Sequence, residues 1–238
     1  MKIFKNILNF IFPTKCYVCQ NTYTSGILCA SCFTELQVKQ HTCHVCGVDL
    51  PQHSTTCALC LHKYRPFNSL NFYYIYNKTT FSLISQFKYF HKLAIQDFLV
   101  QTLVKSIPKE ILQNIDVVIP VPMYYFKLLR RRYNHSAVLA KAFANSNNLY
   151  FNPLILKKHQ ATKAQMTLSG SNRLSNVKNS FNINPKYIEY LQGKRVLLID
   201  DVITTGATIH ACAKVLKKAK VREVHILAIA RVQGILKI

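Results

Sequence analysis

Acidic residues are scarce in this chain. Its 238 residues contain 9 aspartates and glutamates against 31 lysines and arginines, and the formal net charge at pH 7 is +22. Most basic side chains therefore have no acidic partner within the chain, and such a surface attracts polyanions: nucleic acid, anionic lipid or phosphorylated metabolites. The charge is concentrated after residue 66, where 25 lysines and arginines accompany 7 acids.

A long apolar run is also missing. No stretch reaches the ~18 residues that a membrane-spanning helix needs, so we expect no membrane span. Residues 1–12 are apolar apart from Lys2, Lys5 and two asparagines, but no small-x-small cleavage site follows them, which argues against a secretory signal peptide. Their spacing predicts a short amphipathic helix that packs on the protein or, alternatively, contacts a membrane surface. We therefore expect a cytoplasmic protein, or one at the inner face of the membrane.

Cysteine, by contrast, is abundant and regularly spaced. Eight of the nine cysteines form four Cys-x-x-Cys pairs. A gap of two residues lets both thiolates of a pair face one point, and two pairs complete the tetrahedral sulfur shell that zinc prefers. The pattern predicts one or two zinc ions held by Cys16, Cys19, Cys29, Cys32, Cys43, Cys46, Cys57 and Cys60. The pair–spacer–pair pattern occurs twice, so sequential pairing is the simplest arrangement, and interleaved pairing stays open.

The alternatives to zinc are iron–sulfur ligation, disulfides or a redox Cys-x-x-Cys. A module of about fifty residues is too small to be stabilised by apolar burial alone, so a metal should supply its folding energy. The ninth cysteine, Cys212, is predicted to be a small buried hydrophobe. Four nearby histidines are expected at the surface: His41, His44, His53 and His62.

The stretch 196–208 carries the strongest chemical signal. An apolar run predicts a buried parallel strand, two aspartates follow at its carboxyl end, and a Thr-Thr-Gly-Ala-Thr turn precedes a helical pattern. Carboxylates accept hydrogen bonds from neighbouring ribose hydroxyls, and backbone N–H groups and threonine hydroxyls at a helix N-terminus favour a phosphate. The alternative is an ordinary buried strand with a capped helix. The predicted ligand residues are Asp200, Asp201, Thr204, Thr205, Gly206, Ala207 and Thr208.

This stretch resembles the signature of type I phosphoribosyltransferases. The resemblance implies phosphoribosyl pyrophosphate as the ligand, with Mg²⁺ bridging its pyrophosphate and ribose oxygens. From about residue 70, strand and helix patterns alternate, which predicts an α/β fold with a parallel sheet and helices on both faces. Pro66 marks the expected boundary between a zinc-ribbon module (1–66) and a phosphoribosyltransferase-like domain (67–238).

Further basic residues are candidates for pyrophosphate or nucleic acid. Three consecutive arginines follow the predicted strand 116–122, and others lie in the polar stretch 157–177, whose length is typical of a functional lid or of a disordered segment. A solvated helix face is the alternative for the arginines. The candidates are Arg130, Arg131, Arg132, Lys163 and Arg173.

The order of these pieces resembles the ComF family of competence-related proteins. The matching residues are the four cysteine pairs, Pro120-Val121-Pro122, Arg131 with Tyr133-Asn134, Thr162 with Gln165 and Leu168, Arg173 with Asn176-Val177 and Phe181, and Asp200–Thr208. The family has Arg-Gly-Phe-Asn where this chain has Arg131-Arg132-Tyr133-Asn134, so a permissive glycine is replaced by a bulky cation.

The resemblance implies a role in natural transformation. The expected function is to handle incoming single-stranded DNA and to bind phosphoribosyl pyrophosphate, with a helicase-like or recombination protein as partner. An active phosphoribosyltransferase with an unidentified acceptor is the alternative. A third interpretation is a zinc-stabilised adaptor whose ligand loop is vestigial.

Overall fold

The computed structural model describes residues 14–23, 26–90, 93–124, 128, 133–159 and 180–234. The amphipathic helix predicted for residues 1–12 lies outside these ranges. Within them, no helix combines the length and the apolar character needed to cross a bilayer.

Short strands and helices form the cysteine-rich region, and longer ones follow it. The strands are β1 (Thr14–Lys15), β2 (Thr22–Tyr23), β3 (Ser69–Ile75), β4 (Val117–Pro120), β5 (Leu156–Lys158), β6 (Phe181–Ile183), β7 (Arg195–Ile203) and β8 (Glu223–Arg231). The α-helices are α1 (Ala30–Thr34), α2 (Ala58–His62), α3 (Lys78–Phe90), α4 (Leu93–Ser106), α5 (Lys109–Leu112), α6 (His135–Ser146), α7 (Ile188–Leu191) and α8 (Ala207–Lys218), with a 3₁₀ turn at Pro185–Tyr187.

Four parallel strands form the central sheet, in the order β3-β8-β7-β4. The two central strands are apolar along most of their length because both faces are covered, as the near-continuous hydrophobic runs predict. All four carboxyl ends lie at one edge of the sheet, where open α/β sheets bind their ligands. The predicted α/β fold with a parallel sheet is confirmed.

Alternate residues of each strand face opposite layers. On one face, Val196 and Leu198 pack with α8 and with Cys43 and Cys46. On the other face, Leu197 and Ile199 pack with α3, α4 and α6. Part of the cysteine-rich region therefore takes a place on the sheet that another helix would otherwise occupy.

The cysteine-rich region also covers the edge strand β3. Val38 forms an antiparallel bridge with Tyr74, and the Leu70 N–H donates to the carbonyl of His44 at 3.0 Å. At the far end of β3, the Ile75 N–H donates to the carbonyl of Gln37 at 2.7 Å. An exposed sheet edge invites pairing with other chains, and here the N-terminal region satisfies it. The boundary at Pro66 stays a prediction.

The apolar run Leu154–Leu156 enters strand structure only at its last residue. Phe151 pairs with Val118 at the edge of the central sheet, and the next amide that this ladder needs belongs to residue 120, which is a proline. The chain re-enters strand structure at Leu156 and pairs antiparallel with β6 instead.

Candidate phosphoribosyl and metal sites

Two aspartates, Asp200 and Asp201, form an acid pair near the carboxyl end of β7. The Asp200 carboxylate accepts a hydrogen bond from the Ser136 hydroxyl at 2.9 Å and another from the Asp201 N–H at 3.0 Å. Ser136 lies in the first turn of α6, and its own N–H donates to the N-cap side chain of Asn134 at 3.1 Å. The N-cap therefore holds the backbone of Ser136 in place, and the hydroxyl of Ser136 orients Asp200.

The two carboxyl groups of the acid pair have different surroundings. Burial and the adjacent Asp201 carboxylate raise the pKa of Asp200 to about 7, although the Ser136 hydroxyl and the Asp201 N–H act in the opposite direction. Asp201 instead forms an ion pair with Lys88, whose Nζ lies 2.5 Å from its carboxylate oxygen. At neutral pH the pair can therefore both donate to and accept from the hydroxyls of a sugar.

Lys88 is held by contacts to its backbone. Its carbonyl accepts from the Tyr133 hydroxyl at 2.6 Å and lies 2.7 Å from Nε2 of His135. Since a carbonyl only accepts, Nε2 of His135 carries a proton in this contact. No sequence motif assigned Lys88 to the site. Tyr133 stands where the ComF family has phenylalanine, which has no hydroxyl to donate.

The Thr204–Thr208 segment, called the ligand turn below, follows β7 and includes the first two residues of α8. Gly206 adopts φ +80°, a left-handed conformation that glycine reaches at little cost. It precedes a helix of 12 residues that has no acid in its first turn. The unsatisfied N–H groups and the dipole of that helix end favour an anion, and nothing acidic there opposes one. Thr204 is exposed, and Thr205 and Thr208 are partly exposed.

The structure thus brings the acid pair and the ligand turn to one edge of the sheet. We call this combination the candidate cradle. The remaining predicted anion-binding residues, Arg130, Arg131, Arg132, Lys163 and Arg173, lie outside the described residues, so their role stays a prediction.

The eight paired cysteines form two groups, and in each group all four sulfur atoms lie within 4.8 Å of one another. The grouping is the sequential one, not the interleaved one. The first cysteine set is Cys16, Cys19, Cys29 and Cys32, and the second cysteine set is Cys43, Cys46, Cys57 and Cys60.

The geometry of both cysteine sets fits zinc. Sulfur atoms 2.3 Å from a tetrahedral zinc are about 3.8 Å apart. The Cys19 and Cys29 sulfurs are 3.7 Å apart, and those of Cys46 and Cys57 are 3.6 Å apart. These separations exclude a disulfide between Cys19 and Cys29 and another between Cys46 and Cys57. The four nearby histidines are exposed and neither set contains one, while Cys212 is fully buried, as the sequence predicts.

Comparison with known proteins agrees with this architecture. The family model of the double zinc ribbon domain matches residues 7–61, and that of the phosphoribosyl transferase domain matches residues 139–234. "Competence protein F" of Haemophilus influenzae is 29% identical over 94% of this chain and the whole of that protein. These matches support the assignment of the chain to the ComF family, with an N-terminal zinc ribbon.

Two further proteins are similar to this chain at lower sequence identity. "DNA utilization protein YhgH" of Escherichia coli K12 is 25% identical over 92% of this chain and 97% of that protein. The crystal structure of adenine phosphoribosyltransferase from Rhodothermus marinus is 18% identical, with a TM-score of 0.39, over 59% of this chain and 69% of that chain.

Proposed function

We propose that this ComF-family protein binds phosphoribosyl pyrophosphate in the candidate cradle and handles single-stranded DNA during DNA uptake. The observation that carries the proposal is the position of the acid pair and the N-terminus of α8 at one edge of the sheet. This edge of the sheet therefore offers hydroxyl-binding carboxylates next to phosphate-binding N–H groups.

Each part of the cradle has a role in this proposal. Asp200 and Asp201 bind the ribose hydroxyls, and the ligand turn binds the 5′-phosphate. Lys88 is released from Asp201 and moves towards the pyrophosphate, where its charge is better matched. Magnesium prefers oxygen ligands, so Asp200, Asp201 and the ligand's own oxygens would hold it, and it would supply further neutralisation of the pyrophosphate.

DNA binding is supported by charge and by the relatives. Residues after 66 carry 25 basic side chains against 7 acids, and one relative is named for DNA utilization. A protein that binds DNA through its phosphates loses affinity steeply as the salt concentration rises, because the release of counterions from the DNA then contributes less to binding. The helicase-like or recombination partner that the family resemblance implies stays a prediction.

An active phosphoribosyltransferase is the second candidate, because one acid of the pair has its pKa raised to about 7. Such a group can hold or release a proton at neutral pH beside the reacting sugar. In that reaction the acceptor attacks the anomeric carbon, the bond to pyrophosphate breaks, and Lys88 stabilises the charge of the leaving group.

Two assays on the zinc-loaded protein distinguish the candidates. Release of pyrophosphate is followed with a panel of nucleobases and with single-stranded DNA as acceptors. Fluorescence anisotropy measures the affinity for a short labelled single strand at two salt concentrations. DNA binding that weakens at high salt, without pyrophosphate release, supports the uptake factor. Release of pyrophosphate that depends on an acceptor supports the enzyme, and absence of both results contradicts the proposal.

A further inference from the structure

The second cysteine set has two buried arginines beside it. Arg231, the last residue of β8, is 2% exposed, and Arg65 is 7% exposed. Among the described residues, these two are the buried arginines. Burying a guanidinium costs several kcal/mol unless a negative group compensates it, so each of them needs a counter-charge nearby.

Arg231 is pressed against the loop that carries Cys46. A Cβ atom added to Gly47, which has φ +69°, would lie 3.1 Å from Cδ of Arg231 and 2.7 Å from Cε1 of Phe72. One guanidinium nitrogen, Nη2, donates to the carbonyl of Gly234 at 2.6 Å. The Nε–H is buried and has no hydrogen-bond partner within the described ranges.

The acids near Arg231 do not account for its burial. Arg231 lies against Gly47, the residue that follows Cys46, and the acid in this loop is Asp49. Asp49 is exposed, and its carboxylate accepts from the Gln233 amide at 3.1 Å. The cysteines are therefore the buried groups that can supply a counter-charge, and they do so only as thiolates.

Arg65, buried five residues after Cys60, contacts the same cysteine set. Its side chain donates a hydrogen bond to the Cys60 sulfur. Four thiolates around one divalent zinc carry a net charge of about −2. Two guanidinium groups offset that charge.

We infer that Arg231 and Arg65 are built-in counter-ions of a metal held by the second cysteine set, and that this metal is part of the core of the phosphoribosyltransferase-like domain. The inference rests on the assignment of the cysteine sets to zinc and is independent of the ligand of the cradle. Arg231 pairs in register with Ile203 of β7 and with Ile75 of β3. Loss of the metal removes the negatively charged metal–thiolate group beside this buried cation, at the end of a central strand.

The test is retention of zinc by the full-length holoprotein against a chelator. Arg231→Met removes one positive charge and Arg65→Gln removes the other, whereas Arg231→Lys keeps a positive charge at position 231. Arg222→Gln is the matched control, because Arg222 lies next to β8 but its side chain is 62% exposed. Alkylation of the released thiols followed by mass spectrometry shows which cysteine set has lost its metal.

We expect Arg231→Met and Arg65→Gln to weaken zinc retention at the second cysteine set by about 10- to 100-fold, as is typical when a residue that supports metal ligands is lost. Retention at the first cysteine set stays unchanged, Arg231→Lys recovers part of the loss, and Arg222→Gln behaves like the unmodified protein. Unchanged retention at the second set in both charge-removing variants overturns the inference. If Arg231→Met does not fold, Arg65→Gln decides alone by the same criterion.

Discussion

The two cysteine sets have the same ligands and nearly the same spacing, but they lie in different surroundings. In the first set Cys19 is exposed, and neighbours such as Tyr17 and Ile27 are only partly buried against the core. In the second set Cys43 and Cys46 belong to the core that covers one face of the sheet. The motif specifies which sulfurs meet, whereas the packing around it determines what a bound metal stabilises.

Two helices show how alike the sets are locally. α1 begins directly after Cys29 and α2 directly after Cys57, so the third cysteine of each set is an N-cap. The Cys29 thiol lies 3.2 Å from the Ser31 hydroxyl, and that contact, with the N–H of Cys32, lowers the pKa of Cys29 to about 6. What differs lies outside the motif: the sheet face and the two arginines beside the second set.

The largest expected effect compares Cys46→Ser with Cys19→Ser. Cys46→Ser removes a metal ligand inside the core and leaves Arg231 without its counter-charge, so we expect a loss of about 3–5 kcal/mol of unfolding free energy, or failure to fold. Cys19→Ser should disorder the first ribbon and leave the sheet intact. Hydrogen exchange of β7 and β8 amides measures the difference. Equal loss of protection in both variants contradicts the comparison.

The close approach of the second ribbon to the sheet is tested by Gly47→Ala. A methyl group there meets Phe72 and Arg231, and the backbone is left-handed, so we expect a loss of about 2–4 kcal/mol in chemical denaturation. Gly193→Ala is the matched control, because Gly193 has φ +70° and nothing within 4 Å of the added Cβ. It should cost only about 1–2 kcal/mol for the backbone. Losses of the same size in Gly47→Ala and Gly193→Ala would show that the second ribbon shifts to accommodate the methyl group.

The pH dependence of stability tests the raised pKa of Asp200 separately from the effect of pH on the cysteine sets. The folded-state pKa of Asp200 is raised to about 7 from 3.8, so the folded protein binds this proton more tightly than the unfolded chain. The resulting stabilisation is present at low pH and is lost as the pH rises from about 4 to 7. Asp200→Asn removes this dependence, so its stability relative to the unmodified protein should rise between pH 5.5 and pH 8.

Denaturant unfolding of the zinc-loaded protein at the two pH values measures that change. Acid also protonates thiolates and releases zinc, but it does so equally in the Asp200→Asn variant and in the exposed-site control Asp97→Asn. A stability difference between Asp200→Asn and the unmodified protein that stays constant across the range counts against the raised pKa.

The smallest expected effect concerns the support of Lys88. Tyr133→Phe removes one of the two donors to the Lys88 carbonyl, so we expect a loss of about 1 kcal/mol in thermal unfolding. Tyr64→Phe removes a hydroxyl from a ring that is 76% exposed and should cost less than about 0.5 kcal/mol. An equal cost in both variants would mean that the contact at Lys88 contributes little.

Local patterns predicted much of this structure. The runs that became β7 and β8 are apolar because both faces of those strands are covered, and the Cys-x-x-Cys spacing favours the sequential sulfur groups. The acid pair and the ligand turn are contiguous in the chain, so the sequence alone brings them together. Each of these features depends on residues that are close in sequence.

Contacts between distant segments could not be predicted in the same way. Ser136 and Lys88 reach the acid pair from α6 and α3, and neither lies in a motif that names a partner. The segment 37–44 covers β3 through backbone hydrogen bonds, which leave no pattern in side chains. Arg231 directly follows an apolar run in the sequence, but its burial beside the second cysteine set depends on how the ribbon packs.

Calorimetric titration with phosphoribosyl pyrophosphate and Mg²⁺ tests the candidate cradle most directly. The zinc-loaded protein and the Asp97→Asn control should bind the ligand with the same affinity. In the double variant Asp200→Asn, Asp201→Asn, affinity should fall at least about tenfold, since charge-assisted hydrogen bonds are lost, each worth about 1.5–3 kcal/mol. Binding that is undiminished in the double variant, or absent from the unmodified protein, would contradict the account.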